Sequence, residues 1–438
     1  MQSRELVGPR AFCALRAAIP GLFCILFAAG AIQAATCNTR DFGGSITRAI
    51  EACAGGGTVI VSTGRYPTGA IQLHSNMELR LEPGAVIQGS GDPKDYPLRK
   101  SVWGGPDEIS SLIYGEDLEN VSITGSGIID GQGEVWWKRE WMRSGKNNTA
   151  KASTPAELAE VEKIRHGRPH MIRLVRCRNV RIEGVHLVDS ASWTIHPLLC
   201  EYLNIRGVTI TNRVPSPNTD GINPESCRWV HISDCHIDVG DDCITLKSGR
   251  DEAGRKMARP DENIVIANCT MKQGHGGVSI GSEMSGGVRN VAVSNCVFAG
   301  TDKGIRIKSQ RGRGGVVEGI SFDNIVMQDV PEAINITTFY SGADKPGDIF
   351  PVGIGTPVFR DIHISNIWAR GSRTAGQITG LKEMPIQGVT LDNVRIAARQ
   401  GFTVTNARGI VFRDVEILPE AGLPLIVDNA DVSVTGRK

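Results

Sequence analysis

A short phrase recurs along most of this 438-residue chain, and its spacing restricts the possible folds more than any other feature. In each copy, apolar and polar residues alternate for three or four positions, a polar or glycine pair interrupts them, and a second short alternation follows. This pattern predicts a strand, a bend and another strand. Most copies begin about 20 to 30 residues after the previous one, which is the period of a solenoid. The copies begin at Asn120, Asn179, Tyr202, Trp229, Asn263, Asn290, Gly319, Asp361, Gly388 and Gly409.

The segments between the copies show no apolar periodicity of helix length, which argues against alternating strand and helix units. We therefore predict an all-β fold, a right-handed parallel β-helix with one coil per repeat. Each strand would pair with the equivalent strand of the next coil at about 4.8 Å. Inward Val, Ile and Leu would form continuous apolar rows, and the residues at the bends would stack. These bend residues are Gly184, Gly207, Asp234, Asn268, Asn295, Asn324, Asn366 and Asn393.

The first 35 residues have the pattern of a secretory signal peptide. Three arginines precede an apolar run that is short for a membrane span and is interrupted by Pro20, and small residues follow it. We therefore assign residues 1–35 to a signal peptide and residues 36–438 to a single β-helix domain. The mature protein is expected to be secreted, into the extracellular space or the periplasm.

The N-terminal end of the predicted solenoid needs a cover, and residues 45–54 have the spacing of a short amphipathic helix that could supply it. Cys37 and Cys53 flank this segment, and an oxidising compartment favours a disulfide between them. Most other cysteines fall within strand patterns, where a buried free thiol is expected. The sequence shows no cap for the C-terminal end.

The charge balance is nearly neutral, with 48 lysines and arginines against 47 aspartates and glutamates. This balance gives no indication that the protein binds nucleic acids or anionic membranes through its overall charge. No cysteine or histidine spacing resembles a zinc site, so we expect neither a metal nor a cofactor. We expect a monomer whose functional charges are local.

Three aspartates lie at equivalent places on successive predicted coils. Asp220 comes just before the copy that begins at Trp229, and Asp241 and Asp242 come just after its strands. One turn of the solenoid separates them, so all three are expected to converge on one face. Adjacent carboxylates repel each other, and one of them then retains its proton more easily.

The next two coils add a histidine and two cations to this face. His275 lies between glycines, and the strand alternation points Arg306 and Lys308 to the same outward side. A surface salt-bridge cluster is the alternative interpretation of any one of these charges. Corresponding positions on consecutive coils, however, build an extended groove suited to a polymer. Carboxylates would supply acid/base chemistry there, and the cations would hold an anionic substrate group.

These residues form four ordered motifs, "NTD" at 218–220, "GDD" at 240–242, "GHG" at 274–276 and "RIK" at 306–308. In this order they resemble the signatures of the polygalacturonases of glycoside hydrolase family 28. The similarity extends from the "AIEACAGGGTVIV" region to beyond Tyr340, which covers most of the mature chain. "ITTFY" also places Tyr340 where the family has a substrate-binding tyrosine.

The resemblance implies hydrolysis of α-1,4-linked galacturonan (homogalacturonan, pectin) with inversion. It implies that Asp241 is the general acid, that Asp220 and Asp242 activate water, and that His275 supports the acid. Inverting enzymes usually hold their carboxyl groups roughly 6.5–9.5 Å apart, and we expect that gap here. The expected substrate-binding residues are Asn218, Gly276, Arg306, Lys308 and Tyr340.

Finer specificity depends on loops. The long segment 103–168, with its tryptophans and a predicted helix within 154–167, could close one end of the groove and favour exo-action, or it could be an ordinary surface insertion. An endo-polygalacturonase and a rhamnogalacturonan hydrolase are the alternatives within the family. Outside it are a pectate lyase, with calcium held by the aspartates, and a non-catalytic polysaccharide-binding β-helix.

Overall fold

The repeats form the coils of a parallel β-helix in a computed structural model, which describes residues 35–340, 342 and 344–436. Apart from Ala35, the predicted signal peptide lies outside the described residues. Strands of successive coils pair in parallel and in register, in three ladders that run along the solenoid. The all-β prediction is confirmed.

Each ladder collects one strand from each coil. Ladder 1 contains Ala35–Asn38, Gly57–Val61, Met77–Leu81, Glu119–Gly125, Arg178–Glu183, Glu201–Arg206, Arg228–Ser233 and Asp261–Ala267. Ladder 2 contains Gly64–Thr68, Ala85–Gly89, Ile128–Asp130, His186–Val188, Thr209–Thr211, His236–Asp238 and Thr270–Lys272. Ladder 3 contains Ile71–Gln72, Ile113–Glu116, Ile172–Val175, Ile195–Leu198, Ile244–Leu246, Val278–Ile280, Lys303–Lys308 and Glu332–Thr337.

Towards the C-terminus the strands lengthen and bend from one ladder into the next. These long strands are Val288–Ala299, Val316–Gln328, Val358–Thr379, Ile386–Pro419 and Leu425–Thr435. Leu98–Arg99 and Glu108–Ile109 form a separate antiparallel pair.

The core is the stack of inward-facing apolar side chains. One row of ladder 1 shows the principle, because its five members are paired in register and are each at most 1% exposed. Burying such a row removes apolar surface from water in every coil, which stabilises the whole stack. The row consists of Ile232, Ile266, Val293, Phe322 and Ile364.

The bends are stabilised by amides that bond from coil to coil, as the sequence predicts. Asn268 Nδ2 donates to Asp234 Oδ1 (3.2 Å), and Asn324 Nδ2 donates to Asn295 Oδ1 (2.8 Å). Asn393 bonds to Asn366 in the same way (2.7 Å). All six residues have a left-handed backbone, which asparagine and aspartate adopt more easily than most residues.

A short helix covers the N-terminal end. Ser45 accepts a hydrogen bond from the Arg48 amide (3.2 Å) and begins helix Ile46–Ala52, whose apolar side faces the core. The predicted disulfide between Cys37 and Cys53 is present. No capping element covers the last strand among residues 35–340, 342 and 344–436, and several of its apolar side chains are exposed.

The long insertion before the coil that begins at Asn179 contains two helices. Pro155–Glu162 confirms the predicted helix and has a capping box formed by Thr154 and Glu157. Gly133–Ser144 was not predicted, and it buries Trp136 against the solenoid. Further along, Asp251–Met257 is a second helix that was not predicted. In the part of the chain that the structure describes, none of the helices is long and apolar enough to cross a membrane.

Candidate active site

The three aspartates, here called the carboxylate cluster, converge at the start of ladder 3. One oxygen of each lies within 4.8 Å of the others. The nearest oxygens of the proposed acid and base are therefore closer than the wide gap that was expected between their carboxyl groups. The turn at 240–242 folds Asp241 back over its own backbone, where Oδ1 accepts a hydrogen bond from the Asp242 amide (2.9 Å), and this brings it close to Asp220.

Asp242 is held between two cations. Arg306 Nη1 lies 2.8 Å from Oδ1, and Lys308 Nζ lies 2.6 Å from Oδ2. Burial alone would raise the pKa of Asp242, but Lys308 and Arg306 hold it well below its usual range. Asp242 is therefore a charged carboxylate with both oxygens bound.

Asp220 has the opposite electrostatics. Burial, followed by the charge of Asp241, raises the pKa of Asp220 to about 8, against the opposing charge of Lys247. The family resemblance implies instead that Asp241, as the general acid, retains the proton. Oxygens of the two residues lie within 4.8 Å of each other and the charge of Asp241 raises the pKa of Asp220, so the proton on Asp220 depends on both members of the Asp220–Asp241 pair.

His275 and Gly276 complete the side of the cluster that faces the next coil. His275 Nδ1 lies 3.3 Å from Asp241 Oδ1, and this hydrogen bond raises the pKa of the imidazole. A Cβ on Gly276 would come within 2.8 Å of Asp242 Oδ1, so glycine leaves the room that the ion pairs of Asp242 need.

The remaining predicted residues surround the cluster. Asn218 Nδ2 donates to Asp241 Oδ2 (3.4 Å). The ring of Tyr340 is 45% exposed and lies 5.0 Å from Lys308 Nζ and 5.8 Å from the Arg306 guanidinium. The fold thus brings all nine predicted site residues together, although their binding and catalytic roles stay predictions.

Sequence reasoning missed two cations of the site. Lys247 is almost fully buried and its Nζ lies 3.9 Å from Asp220 Oδ2. "TLK" at 245–247 has the same alternation as "RIK", and this signal could have identified it. Arg168 donates to Asn218 Oδ1 (2.9 Å) and to the carbonyl oxygen of Pro217 (2.7 Å). No local pattern marks it, because it contacts the motif across 50 residues of sequence.

Arg168 also lines a cavity of about 410 Å³ beside the cluster. Helix Gly133–Ser144 and residues 164–168 contribute to its lining, so the insertion does stand next to the site. The cavity contains more arginines than carboxylates, which suits an anionic group. The residues that line the cavity include Glu140, Arg143, His166, Arg168, His170 and Ser192.

Comparison with known proteins agrees with this geometry. Residues 73–413 match the family model described as glycosyl hydrolases family 28. The chain belongs to this family. It is therefore a glycoside hydrolase, and the recognition made from the four motifs is confirmed.

Similar proteins of family 28 include enzymes with different modes of cleavage. A probable polygalacturonase of Vitis vinifera is 34% identical over 391 residues, covering 86% of this chain and 75% of its own. An endo-polygalacturonase of Pectobacterium carotovorum subsp. carotovorum is 29% identical, covering 83% of this chain and 86% of its own. The crystal structure of a hyperthermoactive exopolygalacturonase from Thermotoga maritima superimposes with a TM-score of 0.75 at 33% identity, covering 87% and 92%.

Proposed function

We propose that this family 28 hydrolase is an exo-acting polygalacturonase that cleaves α-1,4-galacturonosidic bonds of homogalacturonan with inversion. The carboxylate cluster beside Arg306 and Lys308 carries the proposal, because it joins acid/base groups to cations that fit a sugar acid. Related enzymes named polygalacturonase support the substrate class. The proposal includes export by a signal peptide over residues 1–35 and action as a monomer.

The exposure of the three aspartates supports the roles proposed for them within the cluster. The Asp241 side chain is 18% exposed, whereas those of Asp220 and Asp242 are 4% and 1% exposed. Asp241 is thus the group that reaches the glycosidic oxygen and gives it the proton held by the Asp220–Asp241 pair. Once the proton has left, Asp220 is charged, and with Asp242 it can orient and deprotonate a water.

A water fits between these two carboxylates better than a sugar carbon does. Asp220 Oδ1 is buried and has no hydrogen-bond partner among the described residues, so it can accept from water. Both oxygens of Asp242 are tied to cations. These contacts favour binding of a water over direct attack by a carboxylate on an anomeric carbon, and they support a single displacement by water.

The same ion pairs argue against a calcium-dependent lyase. A calcium ion at the cluster would have to displace Arg306 and Lys308 from Asp242, two contacts shorter than 3 Å. A hydrolase leaves no unsaturated product, so the absence of new ultraviolet absorbance during cleavage separates the two reactions.

Stereochemistry tests the assigned roles. We expect the β-anomer as the first product from the α-linked substrate, because water attacks opposite the leaving group. The short distances within the cluster resemble those of retaining enzymes, so this is a demanding test. Proton NMR of the earliest product, before mutarotation, measures it. An α-anomer that appears first would contradict the roles of all three aspartates.

Exo-action rests on the insertion that carries Arg168. By anchoring the loop of Asn218, Arg168 fixes this wall directly beside the cluster, where it would stop a long chain from running past. We expect monomer alone from a long galacturonan at early times, measured by anion-exchange chromatography. A ladder of mixed oligomers would show instead that the groove is open, as in an endo-polygalacturonase.

A further inference from the structure

Lys247 occupies a place on ladder 3 that corresponds to that of Lys308. Leu246 pairs with Ile280, and Ile280 pairs with Ile307, so the residues that follow them share one row. These residues are Lys247, Gly281 and Lys308. The fold thus places the two lysines two coils apart in this row, with the glycine on the coil between them.

The surroundings of Lys247 are closed. Its side chain is 5% exposed, and Nζ lies 3.1 Å from Glu283 Oε2 and 3.9 Å from Asp220 Oδ2. The ring of Trp193 lies 4.7 Å from Nζ. A buried ammonium between two carboxylates and an aromatic ring interacts strongly with both acids, because little water screens it.

We propose that Lys247 is a positioning residue that stabilises the charged form of Asp220 and so sets how firmly the Asp220–Asp241 pair keeps the catalytic proton. The inference rests on the proposed function, which makes this pair the source of that proton. Within the described residues, Lys247 is the one cation that lies within 4 Å of an Asp220 oxygen.

The other cations of the site are engaged elsewhere. Arg306 and Lys308 contact Asp242, and Arg168 donates to carbonyl oxygens and to Asn218. Glu283 competes with Asp220 for Lys247, since it lies closer to Nζ. The charge that Asp220 experiences is therefore set by a three-membered chain, Glu283–Lys247–Asp220.

Further ionisable groups face this chain and are present in the wild type and in all variants. Those that interact with Asp220 or Lys247 are Arg168, His196, Glu225, Asp241, Asp242, Cys243 and Lys308.

The competing interpretation is that Lys247 and Glu283 form a purely structural ion pair that joins the strand to the loop at 281–285. Two variants distinguish the interpretations, because they shift the proton affinity of Asp220 in opposite directions. Lys247→Met removes the cation and favours the protonated pair. Glu283→Gln keeps nearly the same side-chain shape but removes the negative charge that competes for Lys247. Lys247 then interacts more strongly with Asp220, which favours the ionised pair.

The experiment is the pH dependence of kcat/KM on polygalacturonate. The Asp220–Asp241 pair must carry the catalytic proton. Wild-type activity is therefore expected to fall as pH rises through the pKa of Asp220, which is about 8. We expect this alkaline limb to move up by about one pH unit in Lys247→Met and down by a similar amount in Glu283→Gln. In Lys247→Arg the charge is kept, and the limb should stay near that of the wild type.

A structural ion pair would lower kcat or the thermal midpoint of unfolding in both variants without moving the limb, and that result would overturn the inference. Infrared titration of the carboxylic acid band in the free proteins adds a readout that needs no turnover. If the wild type fails to cleave galacturonan but the band shifts in opposite directions in the two variants, the proposed function fails and the role of Lys247 stands. Unshifted bands refute the role of Lys247.

Discussion

Asp241→Asn is expected to lower the hydrolysis of galacturonan by about 10³-fold while leaving its binding nearly unchanged. The amide cannot give the glycosidic oxygen a proton, but its oxygen can keep the hydrogen bond from the Asp242 amide. The cations proposed to hold the sugar acid are untouched. Release of reducing ends measures hydrolysis, and calorimetry with galacturonan oligomers measures binding.

Asp392→Asn is the matched control for this variant. Asp392 pairs with Arg413 on the surface of ladder 1, and its side chain is 37% exposed, so the same chemical change there should leave activity and binding intact. If Asp241→Asn kept full activity, the assignment of the general acid would be wrong. If it lost binding and hydrolysis in equal measure, Asp241 would be a binding residue.

Lys308→Met should lower kcat/KM on galacturonan by about two to three orders of magnitude. The change removes one of two cations proposed to hold the sugar acid, and it leaves Asp242 Oδ2 buried without its 2.6 Å partner. The pKa of Asp242, which Lys308 helps to hold low, should rise, and the carboxylate loses one of the two contacts that orient it. Steady-state rates over a range of galacturonan concentrations measure the effect.

Stability must be followed in the same variant, because breaking a buried ion pair commonly costs about 3–5 kcal/mol. Arg306 still neutralises Asp242 at Oδ1, so we expect a folded protein with a lower thermal midpoint. Lys256→Met, at a lysine whose side chain is 76% exposed on helix Asp251–Met257, is the matched control. Equal activity of Lys308→Met and the wild type on galacturonan would mean that the Arg306–Lys308 pair is a surface feature.

The sequence by itself determined the architecture. Alternation places Ile305 and Ile307 inside and Arg306 and Lys308 on the groove side, and the same rule holds in every repeat because a strand has a period of two. The cap helix was also predicted, from apolar residues at helical spacing, and the structure adds that Ser45 is its N-cap. These signals depend only on residues that are neighbours in the sequence, so they can be recognised without knowing the tertiary structure.

Only the tertiary structure decided distances, burial and proton affinities. Lys308 and Asp242 are 66 residues apart in sequence, yet their side chains are 2.6 Å apart. The turn that folds Asp241 towards Asp220 brings their nearest oxygens closer than the expected gap between acid and base. Burial raises the pKa of Asp220, whereas the raised pKa was expected at Asp241. Contacts such as that of Arg168 with Asn218 depend on how an insertion packs against a coil. Electrostatic interactions act through space and depend on burial, so their values follow from packing and not from the order of residues in the chain.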